Sequence, residues 1–131
     1  MRLYLCRHAE ATSGEPDELR ELTPLGVQQA QELGERLAAL GDPPQLVLTS
    51  PLRRARQTAA EIERALGVPV RIGEELAPGA TIDTLMRAID GEQGPVAVVG
   101  HQPDCSEIAY AVIGRDPGFP VAGMVVLELT T

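Results

Sequence analysis

The residues best suited to chemistry are two histidines and three arginines, each placed just beyond an apolar run. Arg7 and His8 end the first run, Arg53 and Arg54 lie one turn beyond the second, and His101 follows the most apolar one. Guanidinium groups bind phosphate oxygens in pairs, and a neutral imidazole nitrogen is a nucleophile. If these groups share one site, they predict phosphoryl transfer through a covalent phosphohistidine.

The charge around His8 favours that chemistry. Neighbouring arginines lower the pKa of an imidazole, which would keep His8 neutral and nucleophilic near pH 7. The same cations offset the charge of a transferring phosphoryl group. The sequence has no glycine-rich phosphate loop of the P-loop type and no clustered carboxylates suited to magnesium. We therefore expect no cofactor and no metal, and no nucleotide-triphosphate chemistry.

A zinc site is the alternative for the same region. Cys6-x-His8 and His101-x-x-x-Cys105 together supply four residues of the types that bind zinc. Against it, small buried cysteines are common in protein cores, and the arginine beside His8 would oppose a cation. The two cysteines could also form one disulfide, although they are not a disulfide framework.

Strands alternate with helices along the chain. This pattern predicts a three-layer α/β/α sandwich with a mostly parallel central sheet, whose strand ends meet along one edge. Strand 95–99 is expected at the centre and strand 123–129 at an edge. The remaining strands are expected at 2–6, 46–49 and 70–72. Helices are expected to open at Thr23-Pro24, Ser50-Pro51, Thr81 and Pro103, the first three with the threonine or serine as N-cap.

Helical spacing also predicts which residues face the core. In the first helix the apolar residues are Val27, Ala30, Leu33, Leu37 and Leu40, and Gly41 is expected to stop it. The polar segment 9–22 has two interpretations: a solvated surface loop, or a mobile flap beside the site.

Composition limits the function classes. The chain of 131 residues is expected to form a single domain over 1–131, and its 44% hydrophobic residues are enough for a packed core. A formal net charge of -8 argues against nucleic acid or an anionic membrane as the bulk partner. No apolar run resembles a signal peptide or a membrane span. We expect a soluble, cytoplasmic protein.

The motifs and their order resemble the histidine phosphatase superfamily, the group that includes the phosphoglycerate mutases. The resemblance rests on Arg7-His8, on Gly100-His101 and on the stretch Ser50-Pro51-Leu52-x-Arg54-Ala55-x-Gln57-Thr58. The small size, the element Leu22-Thr23-Pro24-x-Gly26 and the turn Glu75-Leu76-x-Pro78 are most similar to the SixA-type phosphohistidine phosphatases. The resemblance implies a phosphoglycerate mutase-like fold.

The resemblance also implies a role for each site residue. His8 would accept the phosphoryl group, Arg7 and Arg54 would clamp its oxygens, and His101 would donate a further hydrogen bond in the transition state. Of the two adjacent arginines the motif selects Arg54, which leaves Arg53 as a surface residue.

Two departures from the family pattern stand out. Ala9 replaces the glycine that usually follows the catalytic histidine, and its methyl group is tolerated unless the backbone needs a positive φ. The family's general acid lies in an inserted segment for which this chain has little room. Glu75 is the first candidate for the acid and Glu10 the second, although a solvated surface carboxylate is the favoured interpretation of each.

The expected function follows from this pattern. A compact chain without an inserted cap suits a phosphohistidine displayed on a protein, and imidazole leaves more readily than an alkoxide. The leading prediction is a phosphatase that acts on a phosphorylated protein partner. The alternatives are a phosphatase for small phosphate esters and a non-catalytic module that binds phosphate or phosphoproteins.

Overall fold

A mixed sheet of five strands forms the middle layer of the molecule. The computed structural model describes residues 1–130. The strands are β1 (Arg2–Arg7), β2 (Leu46–Thr49), β3 (Val70–Ile72), β4 (Val96–Gly100) and β5 (Met124–Glu128). Their order is β3-β2-β4-β1-β5, and all neighbours are parallel except β5, which runs antiparallel to β1.

Helices cover both faces of this sheet. They are α1 (Pro24–Ala38), α2 (Arg53–Leu66), α3 (Ile82–Ala88) and α4 (Asp104–Ile113). The cores of α1 and α2 pack with Tyr4, Cys6 and Val99 on one face. Those of α3 and α4 pack with Leu5 and Val98 on the other. Successive strand side chains point to opposite faces, so the sheet separates two apolar layers. The predicted three-layer α/β/α sandwich is confirmed.

Strand burial follows position in the sheet. All five residues of β4 are buried, and β4 lies between β2 and β1, as the unbroken apolar run predicted. β5 pairs on one side only and leaves Val126 exposed, as expected of an edge strand. The carboxyl ends of β1, β2 and β4 consequently lie next to one another.

Two helices begin with the predicted threonine caps. The hydroxyl of Thr23 accepts a hydrogen bond from the Gly26 amide at the start of α1. Thr81 and Thr84 form a reciprocal capping box at the start of α3. These caps satisfy amides that the first helical turn leaves without partners.

The prediction that Ser50-Pro51 caps α2 is wrong. The helix begins at Arg53, Leu52 occupies the N-cap position, and no side chain caps it. The Ser50 hydroxyl instead accepts from the Leu52 amide at 3.2 Å in a turn before the helix. The predicted burial of Val27 is also wrong, because Gly26 faces inward there and Val27 is exposed. α1 ends at Ala38, before the predicted stop at Gly41.

The segment 9–22 is neither a helix nor an open loop. An isolated bridge joins Ala11 to Leu22, and a short 3-10 helix covers Asp17–Leu19. Because its two ends are paired with each other, the segment is a closed excursion beside the end of β1. Within residues 1–130, none of the helices has the length and apolar content that a bilayer crossing requires.

Candidate active site at the carboxyl edge of the sheet

The two histidines lie side by side because β1 and β4 are neighbours. Arg7 is paired with Gly100 in the parallel register, so His8 and His101 are the first residues beyond the two strands. The His8 amide donates to the carbonyl oxygen of Gly100 at 3.1 Å. The imidazole centroids are 5.2 Å apart and the rings are tilted by 56°. Both imidazoles therefore border one site.

His8 presents one particular nitrogen to that site. Its Nδ1 lies 2.7 Å from the carbonyl oxygen of Ala9, which can only accept, so Nδ1 carries the proton. Nε2 then holds the lone pair, and Nε of Arg54 donates to it at 3.3 Å. The hydrogen-bond partners thus assign the tautomer in which Nε2 is the nucleophilic nitrogen.

Ala9 fits the position that the family usually gives to glycine. Among residues 1–130, Ala122 is the one non-glycine residue with a positive φ, so the backbone at Ala9 needs no glycine. The Ala9 methyl group is buried in the core, and its amide donates to the hydroxyl of Thr58 at 3.1 Å. That hydroxyl in turn donates to the carbonyl oxygen of Arg54 at 2.9 Å, which ties α2 to the chain after β1.

Both imidazoles are held in the neutral form. Burial is the largest cause that lowers the pKa of His8 to about 4, with Arg54 and Arg7 adding to the effect. Burial likewise lowers the pKa of His101 to about 3, followed by His8 and Arg54. The sequence predicts the direction for His8 but names the arginines as the cause. The structure adds that desolvation of the ring is the larger effect.

Arg54 is the buried member of the arginine pair at the start of α2. It is 6% exposed, and its guanidinium contacts His8 through Nε and Asp17 through both terminal nitrogens. Arg53 is exposed and its Nη2 lies 3.0 Å from Oε2 of Glu21. Since consecutive helical residues point in different directions, only one of the pair can reach the site.

His101 is held through a serine. The residue is 4% exposed, and its Nε2 lies 2.6 Å from Oγ of the fully buried Ser50. The Ser50 oxygen also accepts from the Leu52 amide, and its own proton can point at Nε2. When Ser50 donates to Nε2 in this way, the proton of His101 lies on Nδ1.

Two buried polar side-chain atoms have no hydrogen-bond partner within residues 1–130: Nε of Arg7 and Nδ1 of His101. Arg7 also donates from Nη1 to the carbonyl oxygen of Phe119 at 2.9 Å, which fixes the guanidinium. Buried polar groups without partners are rare and call for an explanation. Nε of Arg7 carries a proton, as does Nδ1 of His101 when Ser50 donates to Nε2, so each could donate to a bound oxyanion.

The two glutamates considered as acids do not contact the histidines. Glu75 is exposed in a short 3-10 helix, Glu74–Leu76, that follows β3. Oε2 of Glu10 accepts from the Thr23 hydroxyl at 2.7 Å, at the start of α1. Among the described residues, neither carboxylate has a hydrogen bond to either imidazole.

The cysteines lie on opposite faces of the sheet. Cys6 packs with the α1 and α2 layer, and Cys105 packs with the α3 and α4 layer. Both thiols are free and buried, and burial raises the pKa of Cys105 to about 12. The Cys105 thiol contacts the backbone oxygen of Cys6 at 3.7 Å, but the two side chains point to opposite faces and no disulfide joins them. Within residues 1–130, no three histidine, cysteine, aspartate or glutamate residues are grouped to hold a metal ion.

The sequence interpretation missed three contacts of the site. Asp17 is not singled out within the polar segment 9–22, although it binds Arg54. Ser50 appears as a helix cap, although it binds His101. Phe119 is not singled out, because its backbone oxygen, not its ring, holds Arg7. Of the three residues, only Ser50 had a sequence signal, because the polar pair Thr-Ser stands at a strand end shortly before the helix.

Comparison with known proteins settles the family. Residues 3–78 match the model of the histidine phosphatase superfamily, branch 1. The chain belongs to that superfamily. A relative from Picosynechococcus sp. (strain ATCC 27264 / PCC 7002 / PR-6) is 35% identical over 140 residues, covering 98% of this chain and 85% of the relative. That relative is itself uncharacterised.

Among solved structures, this histidine phosphatase is similar to SixA proteins. SixA of Agrobacterium tumefaciens, described as a candidate phosphohistidine phosphatase, has a TM-score of 0.85 at 33% identity, covering 97% of this chain and 90% of that one. A SixA protein histidine phosphatase complexed with tungstate has a TM-score of 0.88 at 24% identity, with 98% and 88% covered. The chain is thus a SixA-like member of the superfamily. This membership supports phosphatase activity on a phosphorylated substrate, either a protein or a small molecule.

Proposed function

We propose that this protein removes the phosphoryl group from phosphohistidine on a protein partner, without a metal, through a covalent intermediate on His8. The observation that carries the proposal is the set of donors on three residues next to His8: Arg54, His101 and Arg7. Nε of Arg54 donates to Nε2 of His8, and within residues 1–130 Nε of Arg7 and Nδ1 of His101 are buried without partners. A phosphoryl group attached to Nε2 could accept from these three groups.

The first half of the reaction transfers the phosphoryl group to the enzyme. The lone pair of His8 Nε2 attacks phosphorus, and the bond from phosphorus to the substrate nitrogen breaks with its electron pair going to the substrate imidazole. A proton on the other nitrogen of that imidazole lets it leave as a neutral ring. The Arg54 Nε–H, which donates to Nε2 in the free enzyme, donates to a phosphoryl oxygen once Nε2 is bonded.

The second half of the reaction is hydrolysis. Water attacks the phosphorus, the bond to His8 Nε2 breaks, and the electron pair returns to that nitrogen as its lone pair. The water proton remains with the released phosphate. Because the pKa of His8 is about 4, the regenerated imidazole is again neutral at pH 7 and ready for another turnover.

The surroundings of the two candidate acids favour a phosphoramidate substrate. Among the described residues, Glu75 is exposed and Glu10 accepts from Thr23, and neither carboxylate has a hydrogen bond to His8 or His101. An alkoxide leaving group would need such a proton donor, whereas a protonated phosphohistidine does not. The likeness to the SixA of A. tumefaciens points to the same substrate class.

Access to the site also supports a protein substrate. The connections from β2 to α2 and from β4 to α4 are short, 50–52 and 101–103, and the longer ones, 8–23 after β1 and 73–81 after β3, hold only a short 3-10 helix each. No inserted domain therefore covers this edge within the described residues. A phosphohistidine on the surface of a partner domain can reach a site of that kind.

The decisive experiment compares phosphate release from a phosphohistidine-bearing protein domain with release from a panel of sugar phosphates and aryl phosphates. We expect the protein to be the better substrate by kcat/KM. A phospho-enzyme trapped by rapid quench into alkali, which preserves phosphohistidine, should map to His8 by mass spectrometry, and His8→Ala should not form it. Ester turnover faster by orders of magnitude would replace the proposal with a small-ester phosphatase. Phosphoprotein binding without turnover would make the protein a binding module.

A further inference from the structure

The guanidinium of Arg54 is held on two of its edges by different parts of the chain. Its Nε donates to His8 Nε2 at 3.3 Å. Its Nη1 donates to the backbone oxygen of Asp17 at 2.8 Å, and its Nη2 lies 3.2 Å from Oδ2 of the same residue. A guanidinium carries five N–H donors in one plane, so it can bind two partners at once on different edges. The terminal edge of the guanidinium, formed by Nη1 and Nη2, therefore binds Asp17. The side edge, formed by Nε and Nη2, faces Nε2 of His8.

Asp17 is itself fixed from behind. Its other oxygen, Oδ1, lies 3.0 Å from Nη1 of Arg20, and Nε of Arg20 donates to the backbone oxygen of Thr12. The amide of Thr12 donates to the carbonyl oxygen of Glu21 at 2.8 Å. These contacts tie the 3-10 helix to both ends of the segment 9–22. Asp17 is thus part of a braced structure, not of a free loop.

The charge state of Asp17 suits a fixed partner and not a proton donor. A hydrogen bond from Arg20, followed by one from Arg54, holds the pKa of Asp17 below its usual range. The carboxyl group is therefore an anion at neutral pH and has no proton to give to a leaving group. Its side chain is 55% exposed, so the ion pair contributes little to the stability of the fold. Any strong effect of Asp17 must come from how it places Arg54.

We propose that Asp17 is a positioning residue that aims the side edge of Arg54 at the phosphoryl group on His8. The inference deepens the proposed function and rests on it. With the terminal edge occupied, rotation of the guanidinium is restricted, and Nε–H together with one Nη2–H is left for the phosphoryl oxygens. Preorganised donors of this kind stabilise developing charge without reorganising during the reaction.

The opposite reading makes Asp17 a competitor. If the phosphoryl group needed the same Arg54 donors that Asp17 holds, the aspartate would have to leave before substrate could bind. The two readings predict effects of opposite sign. Removal of the carboxylate weakens anion binding if Asp17 positions Arg54, and strengthens it if Asp17 competes.

The test measures binding of inorganic phosphate and of tungstate by isothermal titration calorimetry. The proteins are the wild type, Asp17→Ala, Asp17→Asn and the control Glu18→Gln, whose side chain is exposed in the same 3-10 helix. We expect about a tenfold or greater loss of affinity for Asp17→Ala, because small misplacements of a clamp are costly. Asp17→Asn keeps an oxygen for Nη2 and should fall between Asp17→Ala and the wild type. Glu18→Gln should match the wild type.

Turnover and thermal stability are measured on the same four proteins. A positioning role predicts that kcat for the phosphohistidine domain falls in the same order as anion affinity, with the melting temperature unchanged within about 2 °C. Equal or tighter anion binding by Asp17→Ala, while the wild type still turns over, would overturn this inference and leave the proposed function intact. If Asp17→Ala binds anions more weakly but the wild type does not hydrolyse phosphohistidine, the positioning role is supported and the proposed substrate is wrong. No anion binding by the wild type would overturn both.

Discussion

The hydroxyl oxygen of Ser50 lies 2.6 Å from Nε2 of His101, in a buried pair that joins the ends of β2 and β4. The same oxygen accepts from the Leu52 amide, which holds the hydroxyl at this strand end. When the hydroxyl donates to Nε2, the proton of His101 lies on Nδ1, the atom that has no partner among the described residues. In that arrangement the serine sets which nitrogen of His101 would donate in the proposed reaction.

Replacing Ser50 with alanine should impair catalysis more than folding. Without the hydroxyl, Nε2 of His101 loses its partner and the ring can carry its proton on either nitrogen. We expect kcat to fall by about 10- to 100-fold, as for other groups that orient a histidine. The stability loss should be about 1 kcal/mol for one lost hydrogen bond. Steady-state kinetics and urea unfolding measure the two effects.

Ser106→Ala is the matched control for that variant. The Ser106 hydroxyl accepts from the side-chain amide of Gln102 at 2.7 Å, close to His101 in sequence but without contact to its ring. It should lose no more than about 1 kcal/mol of stability and keep its kcat. A similar loss of kcat in both variants would show that any serine-to-alanine change near this strand end is harmful. The loss of kcat in Ser50→Ala would then not come from the tautomer of His101.

The buried histidines should make the free energy of unfolding depend on pH. Each has a pKa of about 3 to 4 in the folded state and near the ordinary value of 6.5 when unfolded. The unfolded state therefore binds more protons between about pH 4 and 6.5, so stability is complete above that window and is lost as the pH falls through it. Each histidine contributes a slope of up to about 1.4 kcal/mol per pH unit.

Urea unfolding between about pH 5 and 7 measures that slope, because most carboxylates stay ionised in this range. The double variant His8→Gln/His101→Gln has no imidazole to titrate and should show a much flatter profile. Equal slopes in the two proteins would mean that other groups carry the pH dependence. The folded-state pKa values of the histidines would then lie close to 6.5.

The close approach of Gly26 to Glu10 gives a prediction about stability alone. A Cβ added at Gly26 would lie 2.0 Å from the backbone oxygen of Glu10, and a backbone atom cannot move aside cheaply. Gly26→Ala should therefore destabilise the protein by about 2 kcal/mol or more, despite the better helix propensity of alanine. Thermal unfolding measures the loss.

Gly41→Ala is the control for that clash. A Cβ at Gly41 would have no atom within 4 Å, and the backbone there is not left-handed. Its unfolding free energy should stay within about 0.5 kcal/mol of the wild type. If Gly26→Ala were as stable as Gly41→Ala, the segment after His8 would be free to move away from α1.

Local chemistry explains which parts of the fold the sequence could predict. Threonine caps at Thr23 and Thr81 are set by neighbours three residues away, so the starts of α1 and α3 were read correctly. The predicted start of α2 is wrong because the Ser50 hydroxyl accepts from Leu52 in a local turn and pairs with His101, 51 residues away. Val27 has helical spacing, but the inward side of that turn is filled by the backbone of Glu10.

The residues of the site also differ in whether the sequence could predict their contacts. His8, His101 and Arg54 could be brought together from sequence because strand ends of a parallel sheet meet at one edge. The contact of Asp17 with Arg54 could not, since it depends on how a polar segment folds back over 37 positions. The carboxylates chosen as acids were selected by proximity to motifs. Proximity in sequence does not fix where an exposed glutamate points.

The adjacent arginines Arg53 and Arg54 offer the sharpest test of the proposed phosphate clamp. Arg54→Ala removes a buried guanidinium that donates to Nε2 of His8, the proposed nucleophile, so we expect a loss of about 10² to 10³ in kcat/KM. Arg53→Ala removes an exposed ion pair with Glu21 and should leave kcat/KM within about threefold. Steady-state kinetics on a phosphohistidine-bearing domain measures both.

Arg54→Lys separates the geometry of the clamp from its charge. Lysine keeps the positive charge but has no planar fork, so it cannot hold Asp17 and a phosphoryl group on two edges at once. We expect Arg54→Lys to recover little of the activity that Arg54→Ala loses. Near-complete recovery would mean that a point charge is sufficient at this position. Equal losses from Arg53→Ala and Arg54→Ala would mean that the clamp is not built on one buried arginine.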